Sequence, residues 1–375
     1  MGEASFKFKT LILTLFFICG ASSAVLGNVL YNMKSLGLHN TIKEFKKPVF
    51  QTWSMFIAMS LLIFDTPLFK KGGCPKYTTG GKIRGIGLFR VVAVPAGCDL
   101  IATYLQNIGL LYLPPSVWQM TRGSILLFTA LIAIFYRKKK LYCVDWFGVC
   151  TTILGITIVG LSAVLGKSNS STNSASKVPA GMQVIAMVLI VIAQALQAFQ
   201  TIVEEQLLHD VDATENEIVS FEGLWGLYLS TFLAIPVAQI IPESAGENLF
   251  EHSGETFIMI AHSLIIFIFI ILYMLAILGY NMTGMFVTSF SSAIHRNIYE
   301  ALRSAAVWAL SVVIYYIAPN SGAGEPLNLM SLLQLAGFSI SILGSFIYNR
   351  IIKIPGLYYG EEQKLNPEPL LEDKK

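Results

Sequence analysis

The side chains in this 375-residue chain that could do chemistry are ionisable and amide groups set inside apolar sequence. A charge in such a setting costs roughly 2–3 kcal/mol to insert into a membrane, so it faces a partner or a cavity. Within 180–208, Gln194, Gln197, Thr201, Glu204 and Glu205 fall in one stripe at about 100° per residue. That stripe reads as the polar wall of a substrate path or, for Glu205 above all, as a solvated helix end. Within 288–318, Arg296, Glu300 and Arg303 share a face, with His295 and Tyr299 beside them. The plus–minus–plus ladder either neutralises itself or leaves one arginine for an anionic or carboxylate-bearing solute. Asp99, Thr103 and Gln106 share a face within 87–112, with Asn107 alongside. Arg122 has no acid in its own segment and needs a partner: Asp99, Glu204 or a solute. Asp99 is expected as its counter-ion, ahead of a proton-coupling role.

Other chemistries find no support. The chain is 54% hydrophobic and 13% charged, about half the charge of a soluble domain. Its basic residues sit in short clusters without interleaved aromatics, so no nucleic-acid partner is expected. The cysteines (Cys19, Cys74, Cys98, Cys143 and Cys150) have no zinc-like spacing and read as small hydrophobes. Gly160 to Ser168 imitates a phosphate loop but has one residue too many between its glycines and no preceding strand. Protease, hydrolase and kinase signatures are missing, so neither an enzyme nor a cofactor or metal site is expected.

The elements that position these groups are apolar stretches long enough to span a bilayer. Ten are expected, at 10–33, 49–69, 87–112, 115–136, 142–166, 180–208, 217–241, 256–280, 288–318 and 330–350. The fold class is all-α, a polytopic membrane protein whose contacts include lipid. The first stretch is too long for a signal-peptide core and is read as a retained helix. The basic loops (Lys70 to Arg90, and Arg137 to Lys140) favour cytosolic termini. The Ser/Asn-rich segment 167–179 is then lumenal and carries a glycosylation sequon at Asn169. A second sequon, Asn281-Met282-Thr283, falls at an expected cytosolic helix end and reads as chance.

The chain also repeats weakly. Trp118, Arg122 and Gly123 recur as Tyr299, Arg303 and Ser304, and Gly148 and Gly155 recur as Gly337 and Gly344. Residues 1–166 and 180–352 are therefore expected as two five-helix halves joined by the 167–179 linker, with 353–375 a cytosolic tail. An odd helix number inverts one half relative to the other, as in secondary transporters.

Several segments resemble a known family. Gln197 to Leu207, Phe221-Glu222-Gly223 through Gly226, Cys98-Asp99, Ser116 through Gln119 to Gly123, and Arg303 to Trp308 resemble the F branch of solute carrier family 35, the nucleotide-sugar-transporter-like carriers. The pattern is also similar to chloroquine resistance transporters; both belong to the drug/metabolite transporter superfamily. The resemblance implies a central cavity between the halves, with Asp99, Gln119, Arg122, Glu204 and Arg303 facing it. It also implies residence in an endomembrane such as lysosome, vacuole or Golgi. The 242–255 segment departs from the chloroquine resistance pattern, being short, acidic and free of cysteine. The expected function is secondary transport of a small organic solute by alternating access. The alternative is a non-transporting membrane protein that regulates or anchors a partner.

Overall fold

A computed structural model describes residues 6–37, 41–66, 78–79, 82–83, 86–113, 115–137, 142–166, 180–211, 213–240, 251, 253–317, 327–348 and 351–352. The sequon at Asn169, the linker 167–179 and the tail 353–375 lie outside them. The first half holds α1 (Phe6–Asn32), a β-hairpin of β1 (Lys34–Leu36) and β2 (Ile42–Glu44), and α2 (Pro48–Ser60), which tightens into a 3₁₀ turn at Leu61–Asp65. A two-residue ladder, β3 (Thr78–Thr79) and β4 (Lys82–Ile83), precedes α3 (Ile86–Tyr112), α4 (Pro115–Thr121), α5 (Ile125–Arg137) and α6 (Cys143–Gly166). The second half holds α7 (Ala180–Asp210), α8 (Glu215–Leu229), α9 (Ile235–Ile240), α10 (Ser253–Ala261), α11 (Leu264–Phe290), α12 (Ala293–Ile317) and α13 (Leu329–Tyr348).

The protein is an all-α polytopic membrane protein. Nine helices among the described residues are long and apolar enough to cross a membrane. The expected stretch 115–136 forms two helices, α4 and α5, joined by a 3₁₀ turn at Arg122–Ser124. Gly123 and Ser124 are poor helix formers. Gly123 also lies against Phe338, whose ring a Cβ would meet at 3.1 Å. Between α8 and α9 the backbone widens into a π turn at Ser230–Ala234. Pro236 explains it: the residue has no N–H to donate, and its ring would strike the carbonyl one turn back.

The expected stretch 256–280 is also corrected. The chain forms the short α10, breaks, and restarts at α11 under a Ser263 cap that accepts from the Ile266 N–H. The span therefore shifts toward the C-terminus and ends at Phe290. The Asn281-Met282-Thr283 sequon lies inside it, not at a helix end, with the Thr283 hydroxyl donating to the Gly279 carbonyl.

Helix pairing is ordered. The most extensive contact joins α6 to α13; α1 packs on α11, α3 on α7, α2 on α8 and α5 on α12. Counting the bundle as successive spans, with 115–137 as the fourth, each main pairing maps onto itself or onto another when every span is exchanged for the one five places along. At the α6–α13 seam the backbones themselves touch. A Cβ at Gly148 would lie 2.8 Å from the Gly344 carbonyl, and one at Gly155 would lie 2.5 Å from that of Gly337. The glycines that mark the repeat in sequence are thus each other's contact surface, in antiparallel register.

Candidate functional site

Buried charge collects in two knots built on α12. In the first, Glu300 is the shared acceptor. Arg122, in the 3₁₀ turn after α4, donates Nη2 to Glu300 Oε1 at 2.8 Å. Arg303 donates Nη2 to the same oxygen and Nε to Oε2 at 3.3 Å, and the Tyr280 hydroxyl of α11 bonds Oε2. Arg303 also donates Nη1 to the Gly20 carbonyl of α1 at 2.8 Å. A Cβ at Gly20 would overlap the Arg303 side chain, so the glycine is what admits the guanidinium. Each arginine is covered by a ring: the Arg122 guanidinium lies 4.8 Å from the Trp118 centroid, and that of Arg303 lies 5.1 Å from the Tyr280 centroid.

The second knot centres on Glu204 of α7. Its Oε2 takes Arg296 Nη1, and its Oε1 takes Gln200 Nε2 at 2.7 Å. Asp99 and Glu222 lie within electrostatic reach of the same carboxyl, and the Thr103 hydroxyl donates to Asp99 at 3.2 Å. The first knot therefore sets two guanidiniums against one carboxylate, and the second sets one guanidinium against three carboxyls.

Amides bridge the helices around the knots. Gln106 Nε2 donates to Gln197 Oε1 at 3.1 Å. Asn297 donates to the hydroxyls of Thr129 and Thr201, at 2.6 and 3.1 Å. Other groups are buried without a hydrogen-bond partner among the described residues: both amide atoms of Gln194, Gln119 Oε1, Gln200 Oε1 and Arg122 Nε. Tyr299 stands apart from both knots, half-buried, with its ring edge-on to Phe17 at 6.4 Å.

Two expectations are corrected. Asp99 is not the counter-ion of Arg122: that carboxylate is Glu300, on another helix, while Asp99 sits in the other knot. The ladder on α12 also does not close on itself. Only Arg303 pairs with Glu300 within the helix; Arg296 reaches across to α7.

No protein-family model matches the chain. Solute carrier family 35 member F6 of Homo sapiens and of Pongo abelii are each 29% identical over 258 residues, which is 68% of this chain. The chain spans 65% of the length of these relatives. An uncharacterized protein of Schizosaccharomyces pombe is 27% identical over 265 residues, 70% of this chain and 75% of its own. One solved crystal structure aligns over 92% of this chain and 98% of its own at 12% identity, with a TM-score of 0.51, a likeness of fold alone.

By these likenesses the chain is similar to the solute carrier family 35 proteins. In this solute carrier 35-like chain, sequence reasoning missed Glu222, Tyr280 and Gly20. Glu222 carried a readable signal, since it is an acid in apolar sequence like Glu204. Tyr280 and Gly20 carried none, because a tyrosine or a glycine in an apolar helix is ordinary packing until its neighbour is known.

Proposed function

We propose that the protein is a secondary transporter that moves a small organic solute across an endomembrane by alternating access. Residues 1–166 and 180–352 serve as inverted halves, the 167–179 linker is lumenal, and both termini are cytosolic. The observation that carries this reading is a set of buried polar atoms without hydrogen-bond partners among the described residues: the Gln194 amide, Gln119 Oε1 and Arg122 Nε. Each such group costs roughly 1–3 kcal/mol if left dry. A fold built only to anchor a partner gains nothing from keeping them. A transporter needs them for water or solute to meet.

The two-to-one ratio of guanidinium to carboxylate favours a solute with an anionic or carboxylate group, which would compete with Glu300 for Arg122 and Arg303. Glu204, Thr201, Gln197, Thr103 and Asp99 line the acidic side of the same path. The test is reconstitution into liposomes with labelled nucleotide sugars, amino acids and cationic peptides. Saturable uptake of one class supports the reading. Uptake equal to that of empty liposomes throughout would favour the regulatory or anchoring alternative.

A further inference from the structure

The two knots differ in sign, and their unmet atoms differ in the same way. The first holds two guanidiniums and one carboxylate. Its orphan is a donor: the Arg122 Nε–H is buried without a hydrogen-bond partner among the described residues. The second gathers Glu204, Glu222 and Asp99 about the guanidinium of Arg296. Its orphans are acceptors: Glu222 Oε1 and, on the amide that donates to Glu204, Gln200 Oε1. Arg122, Glu222 and Gln200 are 8%, 2% and 5% exposed, so bulk water does not serve these atoms. A buried polar atom left unmet is costly, and an unbalanced buried charge more so. An anion that accepts would satisfy the first knot, and a cation that donates would satisfy the second. One pair of helices sets the distance between them. On α12, Arg296 belongs to the second knot, and Glu300 and Arg303 to the first. On α11, the Tyr280 hydroxyl bonds Glu300, while a Cβ at Gly284 would lie 3.1 Å from Arg296 Nε. The knots are thus four residues apart along either helix, and Arg303 lies seven from Arg296. At 1.5 Å per residue, the charges stand about 6 to 10 Å apart.

We infer that the solute of this site is a zwitterion, with its carboxylate in the first knot, its ammonium in the second, and about 6 to 10 Å between the two charges. The carboxylate meets the Arg122 Nε–H and shares the two planar forks with Glu300, so that two anions face two cations. The ammonium brings three donors to a place where Glu222 Oε1 and Gln200 Oε1 have none, and it lowers the acidic excess. A plain anion satisfies the first knot alone and leaves that excess standing. An α-amino acid carries both charges on one carbon and is too short to reach both knots. Gly284 and Gly20 have matching parts: each leaves room on its helix for the guanidinium that borders one end of the site. As a transported solute the zwitterion rests on the transporter reading; as a bound ligand it does not.

Thermal stabilisation of the full-length protein in lipid nanodiscs by a series of molecular rulers tests it. The rulers are glycine, γ-aminobutanoate, ε-aminohexanoate and ω-aminooctanoate, with hexanoate and hexylammonium as single-charge controls of matched length. The expected result is that ε-aminohexanoate, whose extended chain falls within the span, binds roughly tenfold more tightly than glycine or either control, as one charge-assisted hydrogen bond supplies. Glu222→Gln should erase its advantage over hexanoate, and hexanoate binding as in the wild type shows that the variant is folded. The rulers on the wild type decide the question without any variant. Equal binding of hexanoate and ε-aminohexanoate would mean that protons fill the second knot, and overturns the zwitterion; so does the absence of binding by every ruler. Uptake of labelled ε-aminohexanoate into proteoliposomes is the separate arm. Binding without uptake keeps the site and removes the transporter reading. Saturable uptake of a nucleotide sugar with no binding of ε-aminohexanoate removes the zwitterion and keeps the transporter.

Discussion

Arg122 and Glu300 lie 178 positions apart and meet at 2.8 Å in the interior of the bundle. Glu300 also holds Arg303, three residues along its own helix. One carboxylate thus ties the break in the fourth span to two helices of the other half, and it is the only acid paired with either arginine among the described residues.

Glu300→Gln should therefore be the most damaging single change at the site. It leaves two buried guanidiniums without an anion, and stranding a buried charge costs roughly 3–5 kcal/mol. Detergent-solubilised protein should show a lowered thermal midpoint and reduced abundance. A midpoint equal to wild type would mean that solvent already neutralises the knot.

Arg122→Lys and Arg303→Lys separate packing from solute binding. Lysine keeps the charge and loses the planar fork. Under the binding role, abundance stays near wild type while solute affinity falls roughly tenfold, about 1.4 kcal/mol. Uptake normalised to protein level decides. Unchanged affinity and rate in both variants would remove these arginines from the mechanism.

The α6–α13 seam makes a prediction independent of transport. Gly155→Val places branched carbon where a Cβ already lies 2.5 Å from the Gly337 carbonyl, and overpacking of this kind costs about 1–3 kcal/mol. Gly97→Ala is the control: a Cβ there meets nothing within 4 Å, so helix propensity alone acts and the change is neutral or stabilising. Thermal unfolding of the two variants side by side should separate them. Equal midpoints would show that the seam gives way cheaply.

Glu255 gives a pH test with its own sign. Its carboxyl accepts from Lys43 Nζ at 2.7 Å and from Lys47 Nζ at 2.9 Å. Burial raises it, but these ammoniums prevail and hold it below the usual value, so its contribution is present above that value and fades as pH falls through the folded one. Glu255→Gln should lower the thermal midpoint at pH 6, by about 1 kcal/mol of stability, with the gap closing under strongly acidic conditions. Lys47→Met should cost more than Lys43→Met, since the Lys47 side chain is 8% exposed and that of Lys43 53%. The reverse order, or a gap that widens in acid, would contradict the assignment.

Much of this arrangement is readable from residue types, and the unreadable part has a common cause. Span positions follow hydropathy, which is a local sum, so most of the expected stretches lie close to the helices. The eighth is displaced because a Ser263 cap outranks a continuous apolar run. Gly148, Gly155, Gly337 and Gly344 are legible as a repeat; that they touch one another is a property of the assembled bundle. Arg122 visibly needs a partner, but choosing Glu300 over Asp99 requires knowing which helix faces which. Glu251 is the extreme case. Its carboxylate accepts from the Val49 and Phe50 N–H groups at the start of α2, some two hundred residues earlier, and no window of sequence contains both.

The α6–α13 seam also differs in kind from the charged knots. Where glycine backbones meet, no rotamers stand between them to be reset, and sliding one helix along the other would drive the neighbouring Cβ atoms into carbonyls. Ionic knots can trade one oxygen for another at small cost. The seam is a welded joint and the knots are clasps, so any motion that opens the bundle has to turn about the weld and unfasten the clasps.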